Sequence, residues 1–255
     1  MVAAVSNRRS QAAVLFLVGA MALYLGSSDA ALAYVKAGLQ PLLLVSGVIL
    51  MGLGVAAVLW HRRDQAGHQP HGPRVAWLLA LPPLALVLIA PPALGAFAAS
   101  RQPIQPPPTI QARSTGPAAP GSDLFPPLIP PSDGTAVPMP LGEYLARDDE
   151  APHTLAGVRI RLVGFVSPQH RGRGGYLLTR FAISCCAADA TALRVAIRGD
   201  LVARPSDTWL EVEGRWQQRT SDDPDQPAAD TAVLMAESVR VIKQPSEPYE
   251  RGLPF

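Results

Sequence analysis

One string in this sequence has the residue types for chemistry: Thr179-Arg180-Phe181-Ala182-Ile183-Ser184-Cys185-Cys186-Ala187-Ala188-Asp189-Ala190. Two thiols and a carboxylate fall close together in it, and Cys185 and Cys186 are the chain's two cysteines. Sulfur and oxygen donors at this spacing suit a soft or borderline metal ion. Successive side chains of a strand point to opposite faces, so adjacent thiolates cannot share an ion while the strand stays regular. The small residues that follow allow a turn, which would gather Cys185, Cys186 and Asp189 on one concave edge. A zinc site needs three or four ligands, and the further donors on offer are His153, His170 or a group from a partner. Three fates are open to the thiols: a site for zinc or another soft metal, a strained disulfide between neighbours, or inert packing as small hydrophobes. The pair lacks the Cys-x-x-Cys spacing of thioredoxin-type redox motifs. Two cysteines also exclude a four-thiolate zinc finger and a multi-bridge scaffold. No phosphate-cradling glycine loop, serine triad or pair of catalytic carboxylates stands out.

The elements that must position this string are strands. From Leu141 onward the chain carries fourteen Arg and Lys against sixteen Asp and Glu, so this half is slightly acidic. Leu141 to Arg147 reads as one or two helical turns. After that the period is two: Val158-Arg-Ile160-Arg-Leu162 alternates apolar and charged side chains and runs on to Val166. Further strands are expected over 176–185, 192–197, 209–214 and 232–242, with Gly and Pro punctuating the gaps. Five short strands in this space predict a small closed barrel of the oligomer-binding type over 141–255, with a five-stranded sandwich as the alternative.

The rest of the chain is of another kind. Apolar residues make up 48% and charged residues 16%, with a mean hydropathy of +0.17; an ordinary globular chain carries about 25% charged residues. Residues 1–100 hold three uncharged stretches, at about 11–28, 39–60 and 75–99, and are expected to form a helical transmembrane region of three spans. The first stretch has two readings. Its apolar core, Ala12–Leu25, reaches only about 21 Å as a helix against a hydrocarbon thickness of about 30 Å. It is therefore either a short retained span or a signal peptide with Arg8-Arg9 in front and Ala31-Leu32-Ala33 as the cleavage site. Arg8, Arg9, Arg62, Arg63 and Arg74 lie on one side of the spans, and by the positive-inside rule that side is cytoplasmic. The barrel is then extracytoplasmic, and the expected location is the plasma membrane, multi-pass. Twelve prolines between residues 101 and 140 predict an extended linker. No span carries an ionisable residue, which excludes an intramembrane relay, and the net charge of +2 gives no footprint for nucleic acid.

The order of these parts resembles a known family. A hydrophobic half ends in paired prolines and Pro92-Ala-Leu-Gly95; a soluble domain follows with Leu155-Ala-Gly157, Gly164-Phe165-Val166, and the Arg180-Phe181-Ala-Ile183-Ser-Cys185-Cys186-Ala-Ala-Asp189-Ala string. This resembles the YcgQ-like bacterial membrane proteins, described as subunits of a two-component permease complex. The resemblance marks Arg180 and Phe181 as supporting residues of the motif. It implies a non-catalytic accessory subunit that docks on a larger polytopic permease, its external domain binding a metal ion or small ligand at Cys185, Cys186 and Asp189. The longer proline-rich linker departs from the family pattern. Two further classes stand beside this reading: an envelope-binding module with structural cysteines, and a membrane-tethered thiol-redox protein.

Overall fold

A computed structural model describes residues 8–63, 92–103, 125–168, 176–218 and 231–251 of the 255-residue chain. The chain divides into two compact units, Met1–Ala93 and Leu94–Phe255.

In the first unit, helices α1 (Arg8–Gly26) and α2 (Gln40–Arg63) are joined through short 3-10 turns at Asp29–Ala33 and Ala37–Leu39. The two helices pack through small residues that let their backbones approach. A Cβ on Gly19 would meet the Gly47 carbonyl oxygen at 2.8 Å, and one on Gly54 would meet the Ala12 carbonyl oxygen at 3.0 Å. Position 19 lies against 47 and position 12 against 54, so the pair is antiparallel. Large apolar side chains such as Leu42, Val45, Ile49 and Leu53 face outward. Among the described residues one helical stretch, Ala37–Leu59, is long and apolar enough to cross a membrane, and Ala12–Gly26 is a shorter apolar helix.

Of the three expected spans, the described residues thus hold one candidate. The stretch at 11–28 is helical, but its apolar part falls short of the hydrocarbon thickness. Residues 75–91 of the third stretch lie outside the described residues, and its last residues belong elsewhere. Ala96–Arg101 forms a short helix, α3, in the C-terminal unit. Ala96 and Ala99 are buried there.

The second unit is a closed barrel of β2 (Arg159–Ser167), β3 (Tyr176–Ile183), β4 (Thr191–Arg198), β5 (Trp209–Gln217) and β6 (Val233–Val241). Their order around the barrel is β2-β5-β6-β4-β3, and β3 pairs back onto β2 to close it. Alternation drives this arrangement. Ile160, Leu162, Leu178, Val195, Ile197, Leu210, Val212 and Leu234 point inward and are fully buried, while Arg159, Glu213, Arg215 and Glu237 form ion pairs on the outer face. Glycine is required where strands cross closely. A Cβ on Gly164 would meet the Thr179 carbonyl oxygen at 2.7 Å, and one on Gly214, at the bulge between Glu213 and Gly214, would run into the Met235 carbonyl oxygen.

The closing seam splays, and two short strands fill it. β1 (Val137–Pro138) pairs with the start of β2, and β7 (Tyr249–Arg251) with the end of β3, both in parallel. Pro138 is tolerated because β1 is an edge. Helix α4 (Leu141–Glu150) follows β1 and adds Leu141, Tyr144 and Leu145 to the core. The Tyr144 hydroxyl donates to the Val233 carbonyl at 2.6 Å, and the Trp216 indole donates to Asp148 at 2.6 Å. The five expected strands match β2 to β6 within a few residues. The expected linker at 101–140 does not run free to residue 140. Phe125 packs with Ala146 and Ala151, Arg147 donates to the Pro126 carbonyl at 2.9 Å, and β1 lies on the sheet. Residues 104–124 of that linker lie outside the described residues.

Candidate metal centre

β3 ends at Ile183 because the next three backbone donors turn to a carboxylate instead of a strand. Ser184 N–H donates to Asp189 Oδ1 at 2.9 Å, and Cys185 and Cys186 N–H donate to Oδ2 at 2.8 and 3.3 Å. Ala187–Asp189 forms one 3-10 turn, closed by a capping box in which Cys186 is the N-cap and Asp189 the third residue. The Cys186 sulfur takes the Asp189 N–H, and the Asp189 carboxylate takes the Cys186 N–H.

This turn solves the problem that a regular strand would pose. Cys185 Sγ and Cys186 Sγ lie 3.7 Å apart, both thiols are free, and their sulfurs and one Asp189 oxygen lie within 4.8 Å of one another. Two thiolates at about 2.3 Å from a tetrahedral ion are separated by about 3.8 Å. The spacing is that of a tetrahedral edge, well beyond the roughly 2.05 Å of a disulfide. Cys185 is exposed and Cys186 half-buried.

Hydrogen bonding sets the electrostatics. The Cys185 thiol donates to Asp189, and this bond, followed by the contact with Cys186, pushes the thiol up to about 11. The same bond, with the backbone donors of Ser184 and Cys185 behind it, holds the Asp189 carboxyl down at about 2. Asp189 therefore organises the turn while standing within ligand distance. Metal binding would displace the Cys185 proton and free the oxygen that accepted it. Sulfur, sulfur and carboxylate oxygen fit a borderline divalent ion of the zinc type, with one position left for water or an outside donor.

The other expected site residues are not brought to this cluster. His153 is exposed in the 3-10 turn Pro152–Thr154 and is not part of the donor group among the described residues. It is excluded because that turn closes α4 and lies outside the strand ends that form the site. His170 lies outside the described residues. Arg180 and Phe181 have positioning roles. The Arg180 guanidinium lies over the Trp209 ring at 5.9 Å and donates to the carbonyls of Glu247 and Pro248, at 2.7 and 3.3 Å. Its burial lowers its pKa. Phe181 is fully buried against Phe165. Together they fix the chain entering β7 beside the last residues of β3. Gln102 was not foreseen: its side-chain amide bonds the backbone at Ala190 and Ala192, directly after Asp189. No local sequence signal marks it.

Residues 143–250 match the DUF1980 C-terminal domain. This is an uncharacterised bacterial family, and the match covers most of α4 and all five barrel strands but none of the hydrophobic half. Comparison with curated proteins and with solved structures finds no match.

Proposed function

We propose that this chain is a membrane-anchored, non-catalytic accessory subunit whose barrel binds a soft metal ion, zinc the leading candidate, through Cys185, Cys186 and Asp189. The observation that carries the reading is the 3.7 Å separation of two free sulfurs on an organised turn. A thiol held up at about 11 by its carboxylate neighbour is a poor nucleophile at neutral pH, which argues against thiol-redox catalysis. Exposure of Cys185 argues against a purely packing role for the pair. The partner in this reading is the larger polytopic permease implied by the resemblance to YcgQ-like proteins. In this reading the hydrophobic stretches cross the membrane, the arginines beside them support a cytoplasmic N-terminus and an external barrel, and the close approach of Gly19 to Gly47 supports α1 being retained against α2. The barrel is of the oligomer-binding type, its cyclic order supporting that assignment.

Competition with a chromophoric chelator on the purified full-length chain tests the metal reading. One zinc ion per chain is expected, with retention lost in both Cys185→Ser and Cys186→Ser. Failure to retain any zinc or copper(I) would sink it. Affinity purification from native membranes in mild detergent tests the subunit reading, which requires a permease-like partner in near-equal amount.

A further inference from the structure

The residues that leave the metal turn are gripped from outside the barrel strands. β4 begins at Thr191, but β6 pairs with it only from Ala196 to Arg198. Among the described residues, the start of β4 is bonded on that edge by one side chain. Gln102 Nε2 donates to the Ala190 carbonyl at 2.8 Å, and its Oε1 accepts the Ala192 N–H at 2.8 Å. An amide that gives to one residue and takes from the second residue along reproduces the bonding of a parallel strand. Ala190 is the residue next to Asp189, so this grip begins one peptide from the carboxylate that organises both cysteines.

Gln102 is itself firmly set. It caps α3, with its N–H on the Ala99 carbonyl at 3.0 Å. Arg194, buried on β4, donates to the carbonyls of Ala99, Gln102 and Pro103. At the other end of the segment Ala96 N–H donates to Asp207, and Leu94 N–H donates to the Tyr249 hydroxyl at 3.0 Å. Leu94–Pro103 is therefore a strut seated on the barrel at both ends. In the sequence its first residues, Leu94 to Ala99, are the end of the third hydrophobic stretch.

We infer that Leu94–Pro103 is a relay, joined to the metal turn by Gln102, that couples metal occupancy at Cys185, Cys186 and Asp189 to the chain leaving the hydrophobic half. The inference rests on the metal reading above. An ion that fixes the 184–190 turn fixes the Ala190 carbonyl and the Ala192 N–H, and these are the two groups that hold Gln102. Coupling of this kind is reciprocal, so a seated strut raises metal affinity by the factor with which metal favours seating.

Hydrogen exchange read by mass spectrometry on the full-length chain in detergent, with and without one equivalent of zinc chloride, tests the relay. In the unmodified protein zinc is expected to slow exchange at 184–190 and also at 96–103. In Gln102→Ala, zinc should protect 184–190 alone, and zinc affinity should fall on the order of tenfold, within the usual range of such couplings. Unchanged exchange at the buried strands β2 and β5 shows that the variant is folded, and Gln102→Glu, which keeps the acceptor and loses the donor, should lie between. Protection confined to 184–190 in the unmodified protein would overturn the relay and leave the metal site standing. Absence of protection everywhere overturns both. A Gln102→Ala protein that behaves like the parent removes Gln102 as the connection.

Discussion

Replacing Glu250 will test how the barrel's seam is held. This residue lies on the three-residue strand β7, is 6% exposed, and gives its carboxyl oxygens to the first turn of α4. Leu141 N–H donates to Oε1 at 2.6 Å and Gly142 N–H to Oε2 at 2.9 Å. It thus supplies the cap that Pro140, at the N-cap position, has no side-chain oxygen to give. Glu250→Ala removes both acceptors. Leu141 is fully buried, so its amide is left without a partner, at a cost of about 1–3 kcal/mol. The half-exposed Gly142 amide adds less, and the lost interaction with the positive helix end adds about 0.3–1 kcal/mol. Relief of carboxyl desolvation offsets part of this, so a net loss of about 3 kcal/mol is expected. Glu250→Gln keeps one acceptor but turns an NH2 group toward the other amide, with an expected loss of about 1.5 kcal/mol.

The pH dependence gives an independent readout. Burial raises the Glu250 carboxyl above the usual carboxylate value, against the two backbone donors and Arg180, which pull it down. The folded protein therefore holds this proton to higher pH than the unfolded chain does. Its contribution to stability is greatest below the ordinary carboxylate value and declines as pH rises from there through the raised folded value. That sign is opposite to the one for an exposed, ion-paired carboxylate. Urea denaturation of the detergent-solubilised full-length chain, repeated across acidic to neutral pH, measures both effects. Glu250→Gln should lower the midpoint at neutral pH and remove this part of the slope. A variant equal to the parent in midpoint and in slope would refute the capping argument.

Three further substitutions follow from close contacts and from the cysteine turn. Gly214→Ala drives a Cβ into the Met235 carbonyl at the β5–β6 bulge and should cost about 3 kcal/mol, visible as a lowered urea midpoint. Gly19→Val pushes into the α2 backbone at Gly47 and Met51, and a loss of about 1–3 kcal/mol in helix packing should appear as faster proteolysis between α1 and α2 in detergent. Asp189→Asn withdraws the charged acceptor that holds the Cys185 thiol at about 11, so the thiol should fall toward its ordinary value of 9.0. The thiolate fraction at pH 8 then rises by up to about 100-fold. Iodoacetamide labelling of Cys185 should accelerate accordingly, and an unchanged rate would show that Asp189 does not govern the thiol.

Much of the barrel was legible because its strands alternate and are bounded by Gly and Pro, signals that read locally. β3 stops two residues before the expected end, at Ile183 and not Cys185, since the amides of Ser184, Cys185 and Cys186 bond Asp189. That departure was itself written in the sequence: Cys186-Ala-Ala-Asp189 has the spacing of a capping box, with a thiol where a hydroxyl usually stands. Other features had no local signature. Val137–Pro138 and Tyr249–Arg251 are too short to show a period, and they become strands only because the seam between β2 and β3 splays. Apolar composition carried the third span to residue 99, but small apolar side chains suit a protein surface as well as lipid, and Ala96 and Ala99 are buried in the C-terminal unit. Proline content predicts extended chain over 101–140, but 125–140 also carries a turn in which Gly134 N–H reaches the Pro131 carbonyl, and the segment lies on the barrel, where Arg147 holds the Pro126 carbonyl. Gln102 is the limiting case. A glutamine after Ala98-Ala99-Ser100-Arg101 is neutral by every local rule, and it gains its role by bonding the backbone at Ala190 and Ala192 beside the cysteine turn. A site's donors can therefore be read from the chain, because their chemistry lies in residue type and spacing. What positions those donors includes residues far away in sequence, and it emerges only once the barrel has closed.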